Sequence, residues 1–354
     1  MRHVPSVDAM TLSLSVLDLI PVSQGQTSAD AVAASMALVE HADRLGVRRY
    51  WFAEHHNMAS VASTTPPVLI AAAAARTERI RLGSGGVMLP NHSPFVVAEQ
   101  FAALEALAPG RIDLGLGRAP GSDQVIAALL RSSGPTADVE RFPEHIETIR
   151  ALLGTDGAAI ALRDKTYELR ATPRPTSAPT VWLLGSSDFS AALAARLGLP
   201  YVFAHHFAGT GTAEAIERYR SEYQPSDEHP APHTFLTANV VVDPDPDEAR
   251  ARAEPNLQQM ARLRTGRPLT ALDRVETALD EDLDPVRARL IDAMAQRWLI
   301  GTPGDVASRL HGLAEEFGAD EVMVSIGAGL RRGERADRAE ARERSLELLV
   351  DALA

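Results

Sequence analysis

The chain has 354 residues, of which 45% are hydrophobic and 23% charged, so it can bury a large core in one α/β domain or two smaller ones. Its 47 acidic and 35 basic residues give a formal net charge of -12, which disfavours binding to nucleic acid or to an anionic membrane surface. The absence of cysteine excludes disulfides, thiolate catalysis and cysteine-ligated metals. Together with the lack of a signal-like amino-terminal segment, it predicts that the protein is cytoplasmic.

Eight short apolar segments recur along the chain, and we predict that each forms a strand. Most are nearly continuous apolar runs, which is typical of parallel strands that are covered on both faces. The predicted strands cover residues 12–18, 48–54, 80–89, 111–117, 180–185, 201–206, 233–242 and 321–328.

Helical patterns separate the predicted strands. In the first of them Val32, Met36 and Val39 fall on one stripe, and Gly46 follows as a stop signal. A proline in the first turn, such as Pro94, marks the start of others. The predicted helices cover residues 28–45, 66–77, 94–107, 139–153, 189–197, 213–223, 303–317 and 335–349.

The alternation of eight strands with helices predicts the fold. A doubly wound sheet usually needs fewer strands, so we expect one (β/α)8 TIM barrel over residues 1–354. The polar stretch 244–296, between the seventh and eighth strands, is predicted to be an insertion over the barrel mouth. It is either a partly mobile lid or an elaborated helix.

A carboxylate and two imidazoles end the second predicted strand, as Glu54, His55 and His56. The carboxyl ends of barrel strands form the substrate-binding rim, so these groups are candidates for hydrogen bonding and proton transfer. The alternative is that one histidine caps the loop while the other is solvated.

Metal binding is a further alternative, because three more histidines lie near strand ends: His92, His205 and His206. Adjacent histidines at a strand end point in different directions and rarely reach one ion. We therefore predict no metal site.

Glycines interrupt the third predicted strand at Gly83, Gly85 and Gly86. Glycine inside a strand usually marks a bulge or the close approach of another molecule to the backbone, such as a planar ring. The alternative is a crowded barrel core, which by itself explains one glycine better than three.

Two further loops carry polar groups suited to an anion. The loop after the fourth strand superficially resembles a dinucleotide-binding loop, but its third glycine is misplaced and Pro120 intrudes, so we reject that site. Arg118 is placed to meet an anion there, or to form a surface salt bridge.

Residues 185–190 begin a helix whose free backbone amides and serine hydroxyls suit a phosphate. The alternative is that Ser187 or Asp188 is only the N-cap of that helix.

These motifs together resemble the bacterial luciferase-like family of flavin-dependent oxidoreductases. The matching segments, in the order of the family, are residues 50–57, 85–90, 110–118, 185–187 and 300–306. Ala-Pro-Gly at 119–121 is similar to a monooxygenase branch of that family. The resemblance implies a (β/α)8 barrel with an insertion near the seventh strand, in agreement with the pattern of predicted elements.

The resemblance also implies that the cofactor is FMN, with its ring against Gly85 and Gly86, where the family often has a non-proline cis peptide. Arg118 matches the phosphate-binding arginine, and Arg141 is expected to supply a second charge. Gly117 stands where some luciferases have a reactive cysteine, so light emission is not predicted. The positions assigned to the cofactor are Gly85, Gly86, Gly117, Arg118, Arg141, Gly185, Ser186, Ser187 and Ser190.

His55 matches the active-site histidine of the family, beside Glu54 and His56. The implied reaction is the oxidation of a small organic substrate by molecular oxygen and reduced FMN through a peroxyflavin, with residues 244–296 closing to exclude water. No nicotinamide-binding unit is apparent, so a separate flavin reductase is the expected source of reduced FMN. A homodimer through helices 66–77 and 94–107 is expected, as in the family.

Three alternatives stay open from the sequence. The first is a deazaflavin-dependent dehydrogenase or reductase of the same fold. The second is a non-catalytic flavin-binding protein. The third is a metal-dependent barrel hydrolase that uses the histidines. The identity of the substrate does not follow from the sequence.

Overall fold

The computed structural model describes residues 12–119, 124–131 and 139–354, so Pro120 and Gly121 of the Ala-Pro-Gly motif lie outside the described residues. In chain order, the strands of this part of the protein are β1 (Ser13–Asp18), β2 (Arg49–Phe52), β3 (Arg81–Ser84), β4 (Val87–Met88), β5 (Ile112–Gly117), β6 (Ala158–Leu162), β7 (Lys165–Leu169), β8 (Thr180–Gly185), β9 (Tyr201–Phe203), β10 (Thr234–Val242), β11 (Leu299–Gly301) and β12 (Glu321–Ile326).

The helices of the same part are α1 (Ser28–Leu45), α2 (Pro66–Ala74), α3 (Pro94–Leu107), α4 (Gln124–Arg131), α5 (Phe142–Leu153), α6 (Asp188–Leu197), α7 (His205–Ala208), α8 (Thr212–Ser221), α9 (Pro246–Arg264), α10 (Val275–Leu279), α11 (Pro285–Arg297), α12 (Pro303–Phe317) and α13 (Glu340–Leu353). None of them is long and apolar enough to cross a membrane.

Eight parallel strands close into a barrel in the order β1-β2-β3-β5-β8-β9-β10-β12, with β12 paired again to β1. β4 extends the third strand and pairs with the carboxyl end of β5. The predicted TIM barrel is therefore confirmed, and the predicted bounds of α1, α3 and α12 coincide with those observed. α1 begins at a Thr27 capping box and ends at Gly46, whose φ of 79° favours glycine.

The observed elements differ from the predicted ones at several places. The sixth barrel strand ends at Phe203, because His205 and His206 begin the short helix α7 instead of continuing the strand. The predicted helix 335–349 begins only at Glu340. The antiparallel hairpin β6–β7 and the short strand β11 were not predicted; most of β7 is exposed, so no buried apolar pattern marks it.

The amino-terminal half of the barrel interior is filled by aromatic and charged side chains. Trp51, Trp182 and Phe235 pack with ring centroids 5.0–5.7 Å apart. Beneath them Arg49 bridges Glu321 at 2.6 Å and Asp113 at 2.8 Å. This packing closes the lower end of the barrel, so the open end is the carboxyl-terminal rim.

The insertion between the seventh and eighth barrel strands is confirmed and consists of helices. α9 packs against β10 and β11, while α10 and α11 pack against α9. β11 returns to pair with β10, in the register Val240↔Leu299 to Val242↔Gly301. The role of residues 244–296 as a closing lid stays a prediction.

The glycines of the third and fourth barrel strands are explained by packing within the chain. A Cβ at Gly85 would lie 2.5 Å from Leu17, and one at Gly86 would lie 2.8 Å from the carbonyl oxygen of Gly115. A Cβ at Gly83 would lie 2.6 Å from the indole nitrogen of Trp51. The crowded-core alternative thus accounts for Gly83 and Gly86, whose Cβ atoms would meet backbone oxygens, but at Gly85 the obstacle is the flexible end of the Leu17 side chain. The assignment of Gly85 and Gly86 to the cofactor stays a prediction.

Two glycines of β5 provide a matched test of this crowding. A Cβ at Gly115 would overlap the carbonyl oxygen of Ser84, whereas a Cβ at Gly117 would approach nothing nearer than 3.8 Å. We expect Gly115→Ala to lower the free energy of unfolding by about 1–3 kcal/mol or more, because backbone cannot move aside easily. Gly117→Ala should leave it nearly unchanged in urea denaturation. Equal losses would show that the crowding is not specific to Gly115.

Candidate functional site

Glu54 is the centre of a hydrogen-bond network at the rim of the barrel. Its buried carboxylate accepts hydrogen bonds from His56 Nε2 at 2.8 Å and His92 Nε2 at 2.7 Å on one oxygen. The amide of Met88 donates to the other oxygen at 3.1 Å. The network joins the ends of the second and third barrel strands.

The carboxylate of Glu54 determines which ring nitrogen of His56 and His92 carries a proton. Burial alone would raise the pKa of Glu54, but the hydrogen bonds from His56, His92 and Met88 lower it below its ordinary value. An ionised carboxylate has only acceptors, so each imidazole must carry its proton on Nε2. When these rings are neutral, the Nδ1 atoms of His56 and His92 are therefore hydrogen-bond acceptors.

These three side chains are also a possible metal-ligand set. The ligand atoms of Glu54, His56 and His92 lie within 4.8 Å of one another. His205 and His206 do not join them, and in the described structure the same atoms are already engaged in hydrogen bonds. The prediction that no metal binds stays a prediction.

His55 has a buried imidazole nitrogen without a hydrogen-bond partner. Its backbone amide donates to Ser63 O at 3.0 Å, but Nδ1 contacts no donor or acceptor in the part of the chain described. Burial lowers the pKa of His55, and the nearby His56 lowers it further. The negative charge of Glu54 raises this pKa but does not cancel the lowering. The result is a neutral imidazole with an unsatisfied nitrogen, which is the arrangement expected where a ligand completes the site.

His206, at the start of α7, lies near His55 and was not assigned to the site by sequence reasoning. Its Nδ1 is 2.6 Å from the hydroxyl of Thr237, which itself donates to Phe203 O at 3.1 Å. The hydroxyl proton is thus used, so His206 donates through Nδ1 and leaves Nε2 unprotonated. Burial, with the nearby His55 and His205, lowers the pKa of His206 to about 4.

We expect the His206 imidazole to stay neutral in the folded protein down to about pH 5. Its folded pKa of about 4 lies below the ordinary 6.5, so its contribution to stability is complete above 6.5 and is lost as the pH falls towards 4. Nitrogen-15 NMR of histidine-labelled protein, with His206→Asn to assign the signal, measures this. A titration midpoint near 6.5 would contradict the buried arrangement.

Arg118 and the start of α6 are brought together because β5 and β8 are neighbours, with Gly117 opposite Leu184. The guanidinium carbon of Arg118 lies 4.0 Å from the ring centroid of Phe189, a cation–π contact that the sequence did not reveal. Within the described residues, no carboxylate forms an ion pair with Arg118. The surface salt bridge considered from the sequence is therefore absent from this part of the structure.

The remaining predicted cofactor positions differ in their surroundings. Ser186 and Ser187 are exposed at the start of α6, and Ser187 is its N-cap without a side-chain hydrogen bond. Ser190 is buried, and glycine at 185 leaves room for its hydroxyl. Arg141 is exposed and donates to Glu144 at 2.8 Å, so it is not held towards the rim by that contact.

The rim offers space and polar groups of the kind that a flavin needs. The Cβ position of Gly117 is open, the Nδ1 atom of His55 is unsatisfied, and Arg118 has no acidic partner in the described structure. The peptide bond between Gly85 and Gly86 is cis, as the resemblance implied. The space at Gly117, the unsatisfied nitrogen of His55 and the guanidinium of Arg118 fit such a cofactor.

The chain is similar to luciferase-like monooxygenases along most of its length. The model of the luciferase-like monooxygenase family matches residues 10–321. A luciferase-like monooxygenase of Escherichia coli K12 is 38% identical over 341 residues, covering 96% of this chain and 97% of that protein. The N-acetyl-S-alkylcysteine monooxygenase of Bacillus subtilis is 32% identical over 322 residues, covering 88% and 92%.

Solved structures agree with this assignment. Apo-MsnO8 has a TM-score of 0.83 and 34% identity, covering 96% of this chain and 98% of its own. More distant structures share the fold. The oxygenating constituent of a Pseudomonas putida 3,6-diketocamphane monooxygenase in complex with FMN has a TM-score of 0.69 and 17% identity, covering 98% of both chains. An F420-dependent secondary alcohol dehydrogenase has a TM-score of 0.65 and 14% identity, covering 96% of this chain and 98% of its own. The chain belongs to the luciferase-like monooxygenase family.

Proposed function

We propose that the protein is a flavin-dependent monooxygenase that uses reduced FMN and molecular oxygen to oxidise a small organic substrate. The observation that carries the proposal is the unsatisfied Nδ1 atom of neutral His55 at the rim, beside the ionised Glu54 network. A buried polar atom without a partner is costly, and a ligand at the rim removes that cost.

The residues at the rim divide the binding of FMN between them. Arg118, with Ser186 and Ser187, would hold the phosphate near the start of α6, where backbone amides and the helix dipole favour an anion. The open surface at Gly117 would receive the flavin ring. Reduced FMN supplies the electrons that activate oxygen.

His55 would hold or move a proton beside the reacting atoms. Its lowered pKa keeps it neutral near pH 7, so it can accept a proton there. Glu54 keeps His56 and His92 oriented through their Nε2 protons. A thioether, the class to which an N-acetyl-S-alkylcysteine belongs, is the first substrate class to test.

The proposal predicts a phosphate-dependent effect of Arg118→Gln. We expect it to weaken FMN binding about tenfold or more, because a charge-assisted hydrogen bond is lost, and to leave riboflavin binding unchanged. Calorimetric titration with oxidised and dithionite-reduced flavins measures both. The control is Arg174→Gln, at an exposed site between β7 and β8.

The same titration tests the deazaflavin alternative, since reduced F420 can be compared with reduced FMN. Preference for F420 would replace the monooxygenase proposal by a hydride-transfer enzyme of the same fold. Equal weakening of riboflavin and FMN in Arg118→Gln would contradict the assignment of Arg118 to the phosphate.

We also propose a homodimer and an external source of reduced flavin. Val68 on α2 and Val96 and Leu107 on α3 have exposed fractions of 65%, 49% and 67%, and α2 packs against α3, so we propose that a second copy covers these apolar side chains. A separate flavin reductase is the proposed donor of reduced FMN.

A further inference from the structure

A cavity beside the barrel rim is lined by residues of α7, β10 and the insertion. Its volume is about 200 Å³. One wall is apolar and consists of Met260, Met294, Trp298 and Leu313. The lining also includes two arginines, Arg264 at the end of α9 and Arg297 at the end of α11.

Neither arginine has an acidic partner in the part of the chain that the structure describes. Arg264 donates to the carbonyl oxygen of Phe207 at 2.9 Å, and its pKa is lowered by burial and by the charge of Arg297. The two guanidinium groups are therefore close to each other. The negative end of each helix favours a cation, but it does not remove the repulsion between the two charges.

Neighbouring arginines of the insertion are arranged differently. Arg262 pairs with Asp273 at 2.8 Å and Glu281 at 3.0 Å, and Arg287 pairs with Glu281 at 2.8 Å. In a chain with a net charge of -12, acidic partners are abundant. Arg264 and Arg297, which are both exposed to solvent, lack such a partner among the described residues.

The histidines of the cavity add no positive charge near neutral pH. Burial and the positive charge of Arg297 lower the pKa of His205, and burial has the larger effect. The negative charge of Glu316 raises this pKa but does not cancel the lowering. Glu316 lines the neighbouring hollow beside α8, not this cavity. Among the side chains that line the cavity, the arginine pair therefore carries the positive charge, while Glu316 lies outside the lining but close enough to act on His205.

We propose that this cavity binds an organic carboxylate, with Arg264 and Arg297 contacting the carboxylate and the apolar wall contacting its hydrocarbon part. Two forked donors match the two oxygens of a carboxylate, and an anion between them relieves their repulsion. His206 also lines the cavity and is coupled electrostatically to His55, so the bound molecule would lie next to the proposed catalytic site. The proposal does not depend on the identity of the flavin.

The test compares hexanoate with hexanamide, which has the same chain without the charge, by calorimetric titration of the purified full-length protein without flavin. We expect hexanoate to bind at least about tenfold more tightly than hexanamide, and more weakly at higher salt concentration. Arg264→Gln and Arg297→Gln should each weaken hexanoate binding about tenfold. The control is Arg289→Gln, an exposed position on α11 outside the cavity.

Circular dichroism of each variant checks that it folds. Equal binding of hexanoate and hexanamide, an equal loss in Arg289→Gln, or no heat with hexanoate would overturn the proposal. Inorganic phosphate binding as tightly as hexanoate would also overturn it, since the apolar wall would then contribute nothing.

Discussion

Replacing His55 with asparagine is expected to lower kcat by about 10²–10⁴-fold, the usual contribution of a positioned acid or base. The protein should still fold and bind FMN, because no hydrogen bond of the described structure uses the His55 imidazole. Product formation with reduced FMN, oxygen and the best substrate from a panel of thioethers, aldehydes and ketones measures the effect. His311→Asn, on the outer helix α12, is the matched control.

The outcome separates catalysis from simple flavin binding. A large loss in His55→Asn with retained FMN affinity supports the role of His55 in proton transfer. Equal product formation in wild type and His55→Asn would contradict that role. Retained flavin binding without substrate oxidation by the wild-type protein would favour the non-catalytic flavin-binding alternative.

Arg342→Met is expected to lower the free energy of unfolding by about 3–5 kcal/mol, because it leaves a buried carboxylate without its cation. Arg342 donates to Asp18 at 2.6 Å, and the Asp18 side chain is fully buried. Ser35, Tyr50 and the amide of Ile20 also donate to this carboxylate. The pair joins the end of β1 to α13.

Arg344→Met on the same helix is the control for this effect. Arg344 pairs with Glu347, but both side chains are about half exposed, so the loss should be below about 1 kcal/mol. Urea denaturation followed by tryptophan fluorescence compares the two variants. Equal losses would show that the buried pair does not stabilise the fold.

The same pair gives an expected pH dependence. Burial alone would raise the pKa of Asp18, but Arg342, Ser35 and Tyr50 lower it below its ordinary 3.8. The folded pKa lies below the unfolded one, so the stabilisation is complete above about pH 4 to 5 and is lost as the pH falls below 3.8. Arg342→Met should weaken this dependence.

The barrel was predictable because its strands are buried on both faces, which leaves continuous apolar runs in the sequence. Elements without that signature were missed. The hairpin β6–β7 is largely exposed. Helix α7 has only four residues, so the sequence pattern predicts instead that His205 and His206 continue a strand. Neither feature has a hydrophobic period long enough to detect.

The site was predictable only as far as neighbouring residues determine it. Glu54 and His56 are two positions apart, so the hydrogen bond between their side chains is a local feature of the sequence. The bond from His92 depends on the course of the loop after β4, and the contact of Arg118 with Phe189 depends on which strands are neighbours. Such long-range contacts leave no local pattern in one sequence.

The pairing of β11 with β10 has a consequence for how this protein can diversify. The chain leaves β10 at Val242 and comes back to the same strand at Leu299, so both ends of the intervening helices are anchored on one support. Lengthening, shortening or exchanging those helices would leave the register of the eight barrel strands undisturbed. Transplanting this one block is therefore a way to change the surface over the barrel rim while the eight barrel strands are kept.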